Sequence, residues 1–281
     1  MRGRRLGPWP FIAPALAYTA LFFAIPFVVM AVVSLWTLSG TALDMTPGFG
    51  NYIRFFTTES FFKAIRNSLE VTALVTIVSV VLAYPMAWIL AEKVPVRWQR
   101  MALILAILPF WTSYVVRSYA WLLVLAEKGV INSWLMGLGL LNEPVQMANT
   151  RFATVLGFAH FFVMLLTLTI YANLKQLSPN YRRAAADLGA NGIQTFIHVI
   201  LPLTLPGIMV GAFLTFVLAI GDYITPQILG GSNELLMPQL IMLQILRKPD
   251  FPMASALSII LMIVVSIAYL ACARWLKLER A

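Results

Sequence analysis

Six stretches of this 281-residue chain run for about two dozen residues with almost no charge, and they leave few folds open to it. A helix that crosses a bilayer needs about 20 consecutive apolar residues. The runs at 11–36, 68–91, 101–125, 152–174, 207–229 and 254–275 each meet that length. Hydrocarbon offers backbone N–H and C=O groups no water, so such segments must satisfy their hydrogen bonds internally, as helices. The expected fold class is all-α: a polytopic membrane protein with six transmembrane helices in one transmembrane domain over 1–281. Composition agrees, with 60% hydrophobic and 11% charged residues, against roughly 25% charged in soluble domains. The first run follows "MRGRR". It is too long for the apolar part of a cleaved signal peptide and has no small-residue cleavage site after it, so it reads as a retained span. Cys272 stands alone inside an apolar run. It can build neither a disulfide nor a paired-thiol metal site, and it reads as a packing residue.

Orientation follows from the cations between the spans. The connections on the N-terminal side hold 12 Lys and Arg (Arg2, Arg4, Arg5, Lys93, Arg97, Arg100, Lys175, Arg182, Arg183, Arg274, Lys277, Arg280) against the 3 acids Glu92, Asp187 and Glu279. The other side holds 7 (Arg54, Lys63, Arg66, Lys128, Arg151, Arg247, Lys248) against 6 acids, and Arg117 lies within a span. Both termini are expected in the cytoplasm. The net charge of +9 then reads as an orientation signal and as contact with anionic membrane lipid, so no nucleic-acid partner is called for.

With that topology the least apolar long stretch, "YRRAAADLGANGIQTFIHVILPLTLPG", falls in a cytoplasmic loop between spans four and five. "LSPNYRRAAADLGA" has the start of a helix, with Ser178 as cap and Pro179 in the first turn. Ala184, Ala185 and Leu188 form a small apolar face at helical spacing, and Gly189 follows as a turn or close-approach position. Pro202 and Pro206 are expected to break the backbone before span five. The segment reads as a docking knob. The alternative, an interfacial helix lying on lipid, needs a strong apolar face opposite basic residues, and residues 182–190 have none.

This loop resembles the "EAA" motif of ABC-transporter permeases of the binding-protein-dependent import type: Glu-Ala-Ala, three residues, Gly, nine residues, Ile-x-Leu-Pro. Here Ala184-Ala185 are followed by Ala186, Asp187, Leu188 and Gly189, and nine residues then lead to Val199-Ile200-Leu201-Pro202. Arg183 stands where the motif often has Glu, and Val199 where it often has Ile. "PFWTSYVVRSYAW" and "IGDYITPQILGG" are similar to segments of the spermidine/putrescine permeases, the first of the two membrane subunits of that system. The resemblance implies that the loop at 178–206 is the coupling segment, with Arg182, Arg183, Ala184, Ala185, Asp187, Leu188, Gly189 and Pro202 seated against a cytoplasmic ATP-binding subunit. It implies a second permease subunit, two ATP-binding subunits, a periplasmic substrate-binding protein and a bacterial inner membrane. The extracytoplasmic loops 37–67, 126–151 and 230–253 would dock that binding protein, or be plain connectors. The chain has no G-x-x-x-x-G-K-[ST] loop, so nucleotide is expected on the partner, and neither cofactor nor enzymatic activity is expected of this chain.

Ionisable residues at membrane depth are candidates for function. Arg117 lies roughly 24 Å along a straight span three and Asp222 roughly 22 Å along a straight span five, at 1.5 Å per residue. Glu70 sits in the first turn of a span two that begins at 68. Asp222 could hold an ammonium group, with Trp111, Tyr114 and Tyr223 as aromatic walls. Against that stands an Arg117–Asp222 or Arg117–Glu70 pair that only joins helices. His160 and His198 are isolated, so no metal is expected. The leading expectation is an importer permease for polyamines. Ferric iron, thiamine and sulfate are the other solutes, and an ion-driven secondary carrier would require an internal inverted repeat, of which there is no sign.

Overall fold

The computed structural model describes residues 9–40, 42–231 and 234–276. The cations at 2–5 and the charged residues at 277–280 that enter the orientation count lie outside the described residues. Span one is α1 (Trp9–Thr19) and α2 (Ile25–Val33), joined by a wide turn at Ala20–Ala24. A short hairpin follows, β1 (Thr37–Ser39) antiparallel to β2 (Ala42–Asp44) with Thr37 opposite Asp44, then α3 (Gly50–Thr57). Span two is α4 (Glu59–Trp88) with a wide turn at Ile89–Lys93. Span three comprises α5 (Val96–Ile107), a tight turn at Leu108–Trp111 and α6 (Tyr114–Leu125), followed by α7 (Val130–Gly137). Span four is α8 (Arg151–Gln176); the loop carries α9 (Asn180–Asp187) and α10 (Gly192–Thr195). A wide turn at Phe196–Ile200 leads into α11 (Leu201–Ile220), then come α12 (Ile224–Leu229), α13 (Met237–Leu246) and α14 (Phe251–Leu276). Among the described residues five helical runs are long and apolar enough to cross a membrane, and six if the pair 96–111 and 114–137, bent by 86°, is one broken span. The fold is all-α and polytopic.

Three boundaries depart from the apolar runs. Span two begins at Glu59, because "ESFFKAIRN" is helical although it carries three charges, and the carboxylate of Glu59 suits a helix N-terminus. Span three is not straight. Pro109 has no N–H to give, Thr112 N–H and Oγ1 both turn back to Pro109 O (3.3 and 2.7 Å), and Thr112 and Ser113 are extended. Span five stops at Ile220, and 224–229 is a separate short helix. The prolines before it do not break the backbone. The wide turn closes with Leu201 N–H on Phe196 O, and the helical run continues from Gly192 to Ile220 through both Pro202 and Pro206.

The chain divides into two compact units. The first, 1–62 with 240–264, is tied by polar bonds around α3. Asn51 Nδ2 donates to Ser34 O and Trp36 O (3.1 and 2.7 Å), Ser34 Oγ meets Tyr52 OH at 2.7 Å, and Arg54 pairs with Asp250 at 3.2 Å. Asp250 also caps α14 by accepting from Met253 N–H at 3.0 Å.

The second unit, 63–239 with 265–281, holds the packed cores. Ala83, Ala87 and Ala91 of span two lie against Leu166, Ile170 and Leu174 of α8, with Ile200 and Ile208 closing the cluster. Val71, Val75, Phe158, Phe162, Ala219 and Leu236 form another. Lipid is as apolar as leucine, so such helices associate by close packing, which small residues four apart permit. Gly211 brings α11 onto α8: a Cβ there would come 2.9 Å from Leu166 Cδ2.

Candidate functional site

Asp222 occupies the step between α11 and α12. Gly221 ends α11, and the Asp222 carboxylate starts α12 by accepting from Ile224 N–H (2.8 Å, Oδ1) and from Thr225 Oγ1 (2.7 Å, Oδ2). The Tyr114 hydroxyl, at the start of α6, hydrogen-bonds to both Asp222 Oδ2 and Thr225 Oγ1. Tyr114, Asp222 and Thr225 are thus one node that joins the two breaks in spans three and five. Asp222 itself is half-buried, so part of its charge is open. Tyr223 is half-buried beside it, and Trp111, at the bend, is 85% exposed.

Arg117 pairs with neither acid, which removes the expected Arg117–Asp222 and Arg117–Glu70 bridges. It is 8% exposed, folds back so that Nη2 donates to Thr112 O (3.1 Å), and lies 5.4 Å from the centroid of Phe161 and 5.9 Å from that of Tyr114. The carbonyl it satisfies is one that the break in span three sets free. Glu70 is well inside α4, away from its first turn, and its carboxylate takes Arg66 (2.7 Å) and Arg151 (2.6 Å). The straight-helix depths given to Arg117 and Asp222 fall with the bend at 112–113 and the end of α11 at Ile220. His160 accepts at Nδ1 from Trp121 Nε1 at 2.8 Å, a bond between span four and span three.

In the loop, Ser178 Oγ accepts from Asn180 N–H at 3.3 Å, so the expected start holds with the helix one residue later. Gly189 ends α9 at φ +81°, with Gly189 N–H on Ala186 O (2.9 Å) and Ala190 N–H on Ala185 O (3.0 Å). That pair of bonds needs a residue in the left-handed region, which glycine adopts without strain. The small face divides: Ala185 is buried, whereas Ala184 and Leu188 point out, Leu188 being 89% exposed. Arg183 and Asp187 are exposed too. Arg182 turns inward and forms a two-bonded ion pair with Glu92 at the end of span two, and that carboxylate holds the guanidinium above its ordinary pKa. Asn191 and Gln194 cap α10 reciprocally, each side chain accepting the other's N–H at 2.9 Å. Ala185, Leu188, Gly189, Ala190, Gln194, His198 and Val199 line a hollow of about 390 Å³. The nine-residue spacing after Gly189 thus brings both ends of the motif to one surface, while Pro202 lies in the first turn of α11.

Sequence reading missed Glu92 and Thr225. Glu92 is the acid among Lys93, Lys175 and Arg182, a signal that charge order alone carried; Thr225 had none.

Apolar helices of spanning length, one pair of them bent by 86° and tied at its bend to the turn after span five by a polar node, define a polytopic membrane protein. No known family profile matches the chain. It is 32% identical over 260 residues to the spermidine/putrescine transport system permease protein PotB of Escherichia coli (strain K12), covering 92% of this chain and 94% of that one. The inner membrane ABC transporter permease protein YdcU of the same organism is 36% identical over 221 residues, covering 75% and 70%. The fold is that of the crystal structure of a bacterial alginate ABC transporter in complex with alginate pentasaccharide-bound periplasmic protein, with a TM-score of 0.76, 18% identity and 96% of this chain covered. The chain belongs to the PotB family of ABC-transporter permeases.

Proposed function

We propose that this chain is one of two permease subunits of an ATP-driven importer of polyamines, lying in a bacterial inner membrane with both termini in the cytoplasm. The observation that carries the reading is its relatedness along nearly its whole length to spermidine/putrescine permeases. A periplasmic binding protein would deliver the substrate, and two ATP-binding subunits would drive its release inward. In this reading Asp222 offers the charge for an ammonium group, and Tyr114, Tyr223 and Trp111 offer aromatic faces for the methylenes and cations. Glu70 flanks the pathway as a charge already engaged by two arginines, whereas Arg117 lies at the bend with only Nη2 bonded, to Thr112 O, and its Nε and Nη1 buried without a partner. Arg183, Ala184, Asp187, Leu188 and Gly189 present the outer surface of the coupling segment, Ala185 and Pro202 hold its shape, and Arg182 is turned inward.

The experiment is uptake of radiolabelled spermidine and putrescine by cells that lack other polyamine carriers and express the complete transporter, with and without this chain. Chain-dependent uptake of either compound is the expected result. The ferric transport permease FbpB 1 of Haemophilus influenzae is 28% identical over a region that makes up 33% of its length, so ferric iron is the comparator. Chain-dependent iron uptake without polyamine uptake would overturn the assignment.

A further inference from the structure

The backbone joins the coupling segment to two spans only: α9 follows α8 directly, and α10 leads through the turn at Phe196–Ile200 into α11. A third connection is made by side chains. Arg182 Nη1 and Nη2 meet Glu92 Oε2 and Oε1, 90 positions apart in sequence. The same guanidinium stands 5.3 Å from the centroid of Trp88, one helical turn before Glu92. Trp88 in turn meets Phe196 edge-on at 5.1 Å.

Glu92 is oddly placed for an acid. The C-terminal end of a helix carries partial negative charge and favours cations. Lys175 Nζ obeys that preference by donating to Ala91 O at 3.2 Å, and Gln99 Nε2 donates to Ala91 O (3.2 Å) and Val94 O (3.1 Å). A carboxylate there is unfavourable unless a cation is fixed against it. The wide turn at 89–93, closed by Val94 N–H on Ile89 O at 3.1 Å, adds a residue to the last turn and re-aims what it carries. A two-bonded guanidinium–carboxylate pair fixes an angle as well as a distance, which a lysine cannot do. The neighbouring Arg183, about 100° further round α9, faces outward.

We propose that Glu92 and Arg182 form a strut through which movement of the coupling segment reaches span two, so that three spans, not two, are driven. Both are positioning residues. The inference rests on the coupling reading of this loop, and its test separates the two. The complete transporter, with both permease subunits, the ATPase and spermidine-loaded binding protein, is reconstituted in proteoliposomes, and spermidine translocated per ATP hydrolysed is measured. Glu92→Gln and Arg182→Lys should each lower that ratio about fivefold or more, the lower end of typical coupling between sites, with the ATPase subunit still co-purifying. The exchanged pair Glu92→Arg with Arg182→Glu should recover at least half of the loss. Should Glu92→Gln fail to insert, Arg182→Lys carries the same comparison, because it keeps the charge and removes the fork. A wild-type ratio in either single variant overturns the strut, and so does an exchanged pair as impaired as the singles. Loss of ATPase co-purification in Arg182→Lys but not in Glu92→Gln also overturns it, by showing that Arg182 touches the partner directly. Gly189→Trp tests the underlying reading: if its stimulated ATPase activity is wild-type, the loop does not dock. If that activity is lost while Glu92→Gln couples normally, the loop docks and only the strut is wrong.

Discussion

Asp222 combines two roles that one substitution can separate. Its carboxylate starts α12 and receives Thr225 and Tyr114, which is a structural task, and it brings a negative charge to the break in span five. Asparagine can keep its oxygen on Ile224 N–H while the Thr225 and Tyr114 hydroxyls rotate to accept from its amide, and it gives up only the long 3.4 Å bond from Thr225 N–H. Asp222→Asn should therefore keep the fold and remove the charge. If an ammonium group binds there, radiolabelled spermidine uptake should fall about tenfold or more, since a hydrogen bond to a charged group contributes ~1.5–3 kcal/mol. The melting temperature in detergent and the amount of inserted protein should not change. Tyr223→Leu should weaken uptake less, a cation–π contact being worth about 0.5–2 kcal/mol. Normal uptake by Asp222→Asn would leave Asp222 as a cap and clamp alone, and the ammonium site would have to be sought on the second permease subunit.

At the scale of the helix, the close pairing of α8 and α11 depends on residues without side chains. A Cβ at Gly211 would press on Leu166 and meet Thr169 Cγ2 at 3.5 Å, so Gly211→Leu must push α11 away from α8 or force Leu166 out of its well. Overpacking of that kind costs about 1–3 kcal/mol, and the expected result is a melting temperature lower by several degrees, about 2–4 °C for each kcal/mol in a chain of this size. Gly137→Ala, with open space around its Cβ, is the control and should show no loss. Spans four and six were legible from hydropathy almost to their ends, because every residue from 152 to 174 and from 254 to 275 serves one apolar helix. Hydropathy starts span two too late, since Glu59, Lys63 and Arg66 interrupt the apolar run of a helix whose Phe61, Ala64 and Ile65 are nonetheless buried. The breaks at 112–113 and 221–223 escape hydropathy for another reason: Thr112, Ser113 and Asp222 are too few polar residues to interrupt the apolar runs around them, and the bonds of Thr112 and Asp222 to nearby backbone mark the change of direction. In the site, residue types single out Tyr114 and Asp222, which the structure brings into one hydrogen bond. Their being bonded to each other, and Arg117 to neither Asp222 nor Glu70, depended on those hidden breaks.

For the whole molecule, the bent pair in the middle decides the topology. If 96–137 crosses the membrane once, there are six spans and the N-terminal side holds 12 Lys and Arg against 7. If the pair enters and leaves by the same face, there are five crossings, every later connection changes sides, and the cations divide 10 against 9, with Arg117 in the segment itself. Cytoplasmic connections of membrane proteins are enriched in Lys and Arg, so only the six-span arrangement uses the charges of this sequence. It also keeps Lys93, Arg97 and Arg100 on the face of Arg182 and Arg183, as the Glu92–Arg182 pair requires. Site-directed labelling can settle this because the chain has one cysteine, Cys272. In a Cys272→Ser background, Lys128→Cys and Ala186→Cys, both at exposed positions, are treated with a membrane-impermeant maleimide in intact spheroplasts and again after permeabilisation. Six crossings predict that residue 128 is labelled in intact spheroplasts and that residue 186 is labelled only after permeabilisation. Re-entry predicts the reverse at both positions, which would place the coupling segment outside, beyond reach of any ATP-binding subunit.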